Sequence, residues 1–255
     1  MIITDTHTHL YASQFDDDRD EMMQRAIDKG VTRFFVPAID ASYTQAMLDL
    51  ERNYPSYVHL MTGVHPTSVN ESIAEELAHV ERLLKQRDFV AIGEIGIDLY
   101  WDKTFLQAQQ DAFKVQIEWA KARQLPIVIH CREAFNEIFE ILEEVKDDNL
   151  RGIFHCFTGS KTQAEQAISY GMKLGIGGVV TFKNGGLDKF LAEIPLRHIV
   201  METDAPYLAP VPFRGKRNES SYIVNVLDKL ATIYTLAPEE VAKQTTQNSI
   251  DLFGI

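Results

Sequence analysis

Short runs rich in β-branched and aromatic residues recur along the chain, and most are followed by a longer segment with apolar residues at helical spacing. The runs are "IITD" from position 2, "RFFVP" from 33, "VHLMTGV" from 58, "FVAIGEIG" from 89, "PIVIH" from 126, "GIFHC" from 152, "KLGIG" from 173 and "HIVMETD" from 198. Each predicts a strand. Segments such as "RDEMMQRAIDKG", "FLQAQQDAFKVQIEWAKARQ" and "KTQAEQAISYG" predict helices, several ending at a glycine, where a left-handed cap is common. Alternating strands and helices favour a parallel sheet, and eight such strands favour closure into a (β/α)8 TIM barrel over an open doubly wound sheet. After the eighth strand come a loop containing "PVPFRGKRN" and two helical runs, Tyr222–Tyr234 and Pro238–Phe253. No long linker, low-complexity segment or further repeat interrupts the pattern, so a single domain over residues 1–255 is expected, at a length usual for such a barrel.

A barrel gathers the C-terminal ends of its strands at one mouth, where chemistry is done. His7 and His9 of "DTHTHL" end the first strand, and alternation along it would place both on the face of Asp5. His65 follows the third strand in "TGVHP", Glu94 lies late in the fourth in "IGEIGID", and His130 and His155 end the fifth and sixth. Asp204 ends the eighth in "ETDAP". His59 and His198 fall early in strands and His79 inside a helix, which assigns them structural or solvent roles. Taken singly, each mouth residue has an ordinary explanation: an incidental His-x-His, a core histidine satisfied by backbone, an aspartate capping a turn. A glutamate inside an apolar strand fits such a reading less well, because it is rarely buried unless paired or bound to a cation. Together, His7, His9, Glu94, His130, His155 and Asp204 make a nitrogen and oxygen donor set suited to zinc, manganese or magnesium. Six donors exceed what one tetrahedral ion uses, so two divalent metal ions bridged by Glu94 are expected.

Charge and cysteine content narrow the setting. A formal net charge of −12 argues against broad non-specific affinity for nucleic acid, so any polyanion must meet a local positive patch, a metal or both. Cys131 and Cys156 form no C-x-x-C pair and read as reduced thiols. Neither a signal-peptide pattern nor an apolar run of membrane-spanning length occurs, so a cytoplasmic protein is expected, with no membrane partner and no obligate protein partner evident.

The motifs "DTHTHL", "TGVHP", "IGEIGID", "PIVIHCRE", "FHCFTGS", "ETDAPYL" and "PFRGKRN" stand in one order across essentially the whole chain. In this the sequence resembles the TatD family of metal-dependent deoxyribonucleases, a branch of the amidohydrolase-like barrels. The resemblance implies a divalent metal centre at His7, His9, Glu94, His130, His155 and Asp204, hydrolysis of phosphodiester bonds in DNA, and often exonuclease action. One departure is Ser220, where the family usually has proline after Asn-Glu, which puts the rigidity of that loop in question. No G-x-S-x-G or other nucleophile motif competes with metal chemistry. Asp204 is the candidate general base, Glu94 the bridge, and His65 a candidate hydrogen-bond partner for a substrate phosphate. Arg132, Arg214, Lys216 and Arg217 are candidate phosphate contacts. The nearest rival is hydrolysis of an amide, ester or lactone by the same chemistry, including deacylation of a mischarged transfer RNA; a non-catalytic barrel is disfavoured because no donor is missing.

Overall fold

The computed structural model describes residues 1–255. Its strands are β1 (Ile3–Asp5), β2 (Val31–Val36), β3 (Val58–Leu60), β4 (Ile92–Asp98), β5 (Ile127–Arg132), β6 (Gly152–Phe154), β7 (Met172–Ile176) and β8 (Ile199–Met201). Helices α1 (Arg19–Asp28), α2 (Thr44–Asn53), α3 (Ile73–Gln86), α4 (Leu106–Ala122), α5 (Phe135–Val145) and α6 (Lys161–Ser169) follow the first six strands in turn. Two more, α7 (Ile223–Tyr234) and α8 (Pro238–Phe253), follow β8. The crossover from β7 to β8 holds four short 3-10 turns instead of an α-helix. Its sequence explains this, since Gly177, Gly178, Gly185, Gly186 and Pro195 punctuate the segment too often for a continuous helix.

All paired strands are parallel and form two ladders, β1-β2-β3 and β4-β5-β6-β7-β8. Loop backbone closes the two seams between them. At one, Thr62 bridges Ile92, and the Gly93 N–H donates to the Thr62 carbonyl at 2.9 Å. At the other, the Thr6 N–H donates to the Met201 carbonyl at 3.0 Å and the Asp204 N–H to the His7 carbonyl at 2.9 Å. The result is the (β/α)8 TIM barrel that the alternation predicts.

Strand alternation divides the core in two. On β5, Ile127 and Ile129 pack in the layer beneath the helices, while Val128 between them belongs to a separate inner cluster with Phe35, Met61, Ala91, Ile153 and Val200. Leu252 and Phe253, from the last turn of α8, complete that inner cluster, and Phe253 stacks on Phe35 with ring centroids 3.9 Å apart. The final helix therefore supplies part of the barrel's filling. Phe253→Ala is expected to lower the free energy of unfolding by about 3 kcal/mol, through lost burial plus the cavity left against Phe35. Phe253→Leu should cost less. Urea denaturation midpoints at unchanged slope would measure both, and an unaltered midpoint for the alanine variant would show that α8 does not hold the barrel shut.

Candidate metal centre

The donors expected at the strand ends meet at one place. Glu94, on β4 and 2% exposed, is its hub. Its Oε1 lies 2.8 Å from His130 Nδ1, 3.0 Å from His155 Nε2 and 3.1 Å from His65 Nε2. Its Oε2 lies 3.1 Å from His7 Nε2 and 3.6 Å from His9 Nε2. Asp204 Oδ1 stands 3.5 Å from His9 Nε2 and 3.8 Å from His7 Nε2. The two oxygens of one carboxylate thus divide the donors into two groups. His65, a candidate phosphate partner if not itself a ligand, sits among them, in a group with Glu94 and His130 compact enough to hold an ion.

Local backbone explains these positions. β1 ends at Asp5, so His7 and His9 belong to the loop beyond it. Their imidazoles converge, with Nε2 atoms 3.2 Å apart, but Asp5 does not share their face. It is fully buried and accepts hydrogen bonds from the Thr203 N–H at 2.9 Å, the Thr203 hydroxyl at 2.7 Å and the Ser220 hydroxyl at 2.6 Å. Burial pushes its carboxyl up to about 7 against those three donors. Ser220 therefore anchors its loop through a side chain. Facing this, the His9 N–H donates to the Ala205 carbonyl at 2.7 Å, and Asp204 adopts a left-handed backbone with φ of 57°.

Further contacts set the imidazole orientations. Tyr11 donates its hydroxyl hydrogen to the Pro37 carbonyl at 3.1 Å, so it accepts from His9 Nδ1–H at 2.8 Å and leaves the His9 Nε2 lone pair facing the cluster. Asp98 Oδ2 lies 2.9 Å from His130 Nε2, and Glu202 Oε1 lies 3.3 Å from His155 Nδ1. Gly175 makes room for Glu202, because a Cβ there would fall 2.2 Å from its Oε2. Reasoning from the sequence overlooks Tyr11, Asp98 and Glu202. The signal for the two acids is present, since each is a charged residue in an apolar run, within "IGEIGID" and "IVMETD".

The electrostatics call for a cation. Glu94, Asp98, Glu202 and Asp204 are all buried, and their only basic ion-pair partners are imidazoles. Against the cost of burial, His155 and the other imidazoles hold Glu94 well below the usual carboxylate range. Also against burial, Glu94 and Glu202 raise His155 far above an ordinary histidine, while Asp98 and Glu94 raise His130. Burial lowers His7 and His65, which keeps them neutral with free lone pairs. A divalent cation would balance the carboxylates in place of these protons and would satisfy imidazole nitrogens that now face one another. The donor set fits such an ion, with nitrogen and oxygen ligands and no sulfur. Cys131 and Cys156 are free and line the same cleft, but burial pushes the Cys131 thiol up to about 12 and Cys156 well above its usual range, so both stay protonated.

The donors floor a cleft of about 560 Å³, with Ile39, Trp101, Arg132, Val179, Tyr207 and Leu208 among its walls. Of the four cations expected to meet phosphate, only Arg132 lines it. Arg217 is clamped to Asp18 by two bonds of 2.5 and 2.8 Å, and exposed Arg214 lies over Phe182 at 4.4 Å from the ring centroid. Lys216 is exposed outside the cleft. His59, His79 and His198 lie away from the donors; His79 pairs with Thr44 at 2.8 Å.

The family described as TatD related DNase matches residues 4–254. A Bacillus subtilis protein named as an uncharacterized metal-dependent hydrolase, YabD, is 38% identical over 255 residues, with both chains covered in full. A Salmonella typhimurium protein named 3'-5' ssDNA/RNA exonuclease TatD is 34% identical, with 98% of each chain covered. The crystal structure of the TatD homologue YJJV from Escherichia coli K12 superposes with a TM-score of 0.93 at 30% identity, covering 99% of this chain and 98% of that one. A whole-length family match, relatives above 30% identity and a buried histidine and carboxylate cluster in the barrel mouth lead to one conclusion: the chain belongs to the TatD family of metal-dependent hydrolases.

Proposed function

We propose that the chain hydrolyses phosphodiester bonds of DNA with two divalent metal ions, acting from an end and preferring single strands. The observation that carries this reading is the division of the donors between the two oxygens of Glu94 at the floor of a cleft whose wall presents Arg132. His7, His9, Glu94, His130, His155 and Asp204 would hold the ions, with His65 as a further donor. When bound, the ions supply Lewis acidity at a phosphoryl oxygen and lower the pKa of a bound water. Asp204 is held below the usual carboxylate range, against burial, first by His9, so it is ionised at neutral pH and able to accept the attacking water's proton. Arg132 binds a non-bridging phosphate oxygen through its guanidinium edge. The relatives named as single-strand exonucleases support the substrate class, and their names include RNA as well as DNA.

Glu94→Gln keeps the shape of the hub and removes its charge. It should abolish hydrolysis and metal content together, with the circular dichroism spectrum unchanged; elemental analysis and a time course on end-labelled single-stranded DNA would show this. Running simple esters and an aminoacyl ester beside the DNA tests the reaction class, and turnover of the esters alone would overturn the proposal. Tyr11→Phe, which frees the His9 tautomer, should weaken metal affinity by roughly 10- to 100-fold and leave the fold intact. Competition with a chelator of known affinity would measure it.

The net charge of −12 and a single cleft cation limit how many phosphates are held. Single strands should be cut faster than blunt duplex or closed circles, because a flexible strand enters a cleft that a rigid duplex cannot. Log affinity should fall only gently with log salt, by about 0.7 for each phosphate engaged on a single strand, and Arg132→Ala should reduce that slope by about one such increment. A steep slope insensitive to Arg132→Ala would mean that DNA is held along an extended surface elsewhere.

A further inference from the structure

Beside the metal centre, the loop after β4 carries two neighbouring aromatic rings that neither pack into the core nor supply a donor. Tyr100 is 51% exposed and Trp101 70% exposed, their rings meeting edge to face at 4.9 Å. The Arg132 guanidinium lies over the Tyr100 ring at 3.7 Å and stands 5.4 Å from the Trp101 centroid. Arg132 thus covers Tyr100, while the more exposed indole of Trp101 lines the cleft. The loop is fixed relative to the donors by one side chain. Asp98 Oδ1 accepts the N–H groups of Tyr100 at 2.9 Å and Trp101 at 3.3 Å, while its Oδ2 meets His130 at 2.9 Å.

We propose that Trp101, held by Tyr100 and Arg132, is a stacking platform for a nucleobase of single-stranded nucleic acid whose adjoining phosphate reaches the metal centre. This rests on the phosphodiesterase reading above and names what that reading leaves open, the source of binding in an acidic protein. With one cation in the cleft wall, attraction for phosphates beyond the one at the metal centre is small, and stacking on an aromatic ring supplies affinity that does not depend on net charge. Stacking is also tolerant of sequence, because every base offers a π-face. Bases inside a duplex already stack on one another, so a free indole selects single strands.

The test separates binding from turnover. The chain has two tryptophans, Trp101 and the half-buried Trp119 on α4, so indole fluorescence with Trp101→Phe as control reports on the platform. In stopped flow, before turnover, the metal-loaded enzyme is titrated with oligothymidylate and with an abasic oligomer of the same length and charge. Oligothymidylate should quench Trp101 and bind about tenfold more tightly than the abasic oligomer. Trp101→Ala should lose that preference, binding both oligomers about equally, and Trp101→Phe should retain most of it. Equal affinity of the wild type for both oligomers overturns the platform, as does an equal loss on both in Trp101→Ala. Hydrolysis is followed separately: base-dependent quenching without cleavage would leave the platform standing and remove the phosphodiesterase reading.

Discussion

A single buried carboxylate sets the terms for the barrel mouth. Glu94 sits among five imidazole side chains, and none of those six groups is charge-balanced by lysine or arginine. Burying this much polar chemistry is unfavourable where atoms go unsatisfied; the surroundings satisfy several of them, while His7 Nδ1 and Glu202 Oε2 are left without a partner. Tyr11 takes the far nitrogen of His9, Asp98 that of His130, and Glu202 lies beside that of His155. Tyr11 and Asp98 hold their imidazoles with the other nitrogen facing inward, as outer contacts of metal ligands generally do.

Closure of the barrel and assembly of the centre are one event at the β8-β1 seam. β1 and β8 do not pair with each other as a ladder, and the backbone beyond them is laced instead: Asp204 N–H to His7 carbonyl, His9 N–H to Ala205 carbonyl, and Asp5 to Thr203 and Ser220. The same hydrogen bonds that complete the ring of strands bring the donors of the first loop against that of the last. Stability and site geometry cannot be varied independently at this seam.

How much of this the sequence discloses depends on the range of the interaction involved. The strand runs and the helices flanking them are local patterns, so the eight strands and the limits of α8 read directly, and the gathering of donors follows from barrel topology. That Asp5 does not share the face of His7 and His9 does not read from pattern, because Asp5 is turned by Thr203 and Ser220, some two hundred residues away in sequence. Among the outer partners, Asp98 and Glu202 carry a local signal as acids in apolar runs, whereas nothing local marks Tyr11 as held beside His9 by the Pro37 carbonyl. The basic loop "FRGKR" suggested a phosphate patch by composition, and only the fold reveals that Asp18 takes Arg217. Ser220 reads as a loosened proline position, yet in the fold its hydroxyl serves a buried carboxylate.

The pairing of Asp5 with Thr203 and Ser220 also has a meaning in time. A ribosome delivers His7 and His9 some two hundred residues ahead of Asp204. Until Thr203 and Ser220 emerge, Asp5 lacks its three short hydrogen bonds, and the first loop has only its contacts with the second strand, Thr8 to Phe35 and Tyr11 to Pro37. Contacts so distant along the chain form late, because the intervening loop must be closed first. The candidate metal centre therefore cannot assemble before the eighth strand and the loop after it have been made, and a product truncated ahead of Thr203 would carry five of the six expected donors without the site.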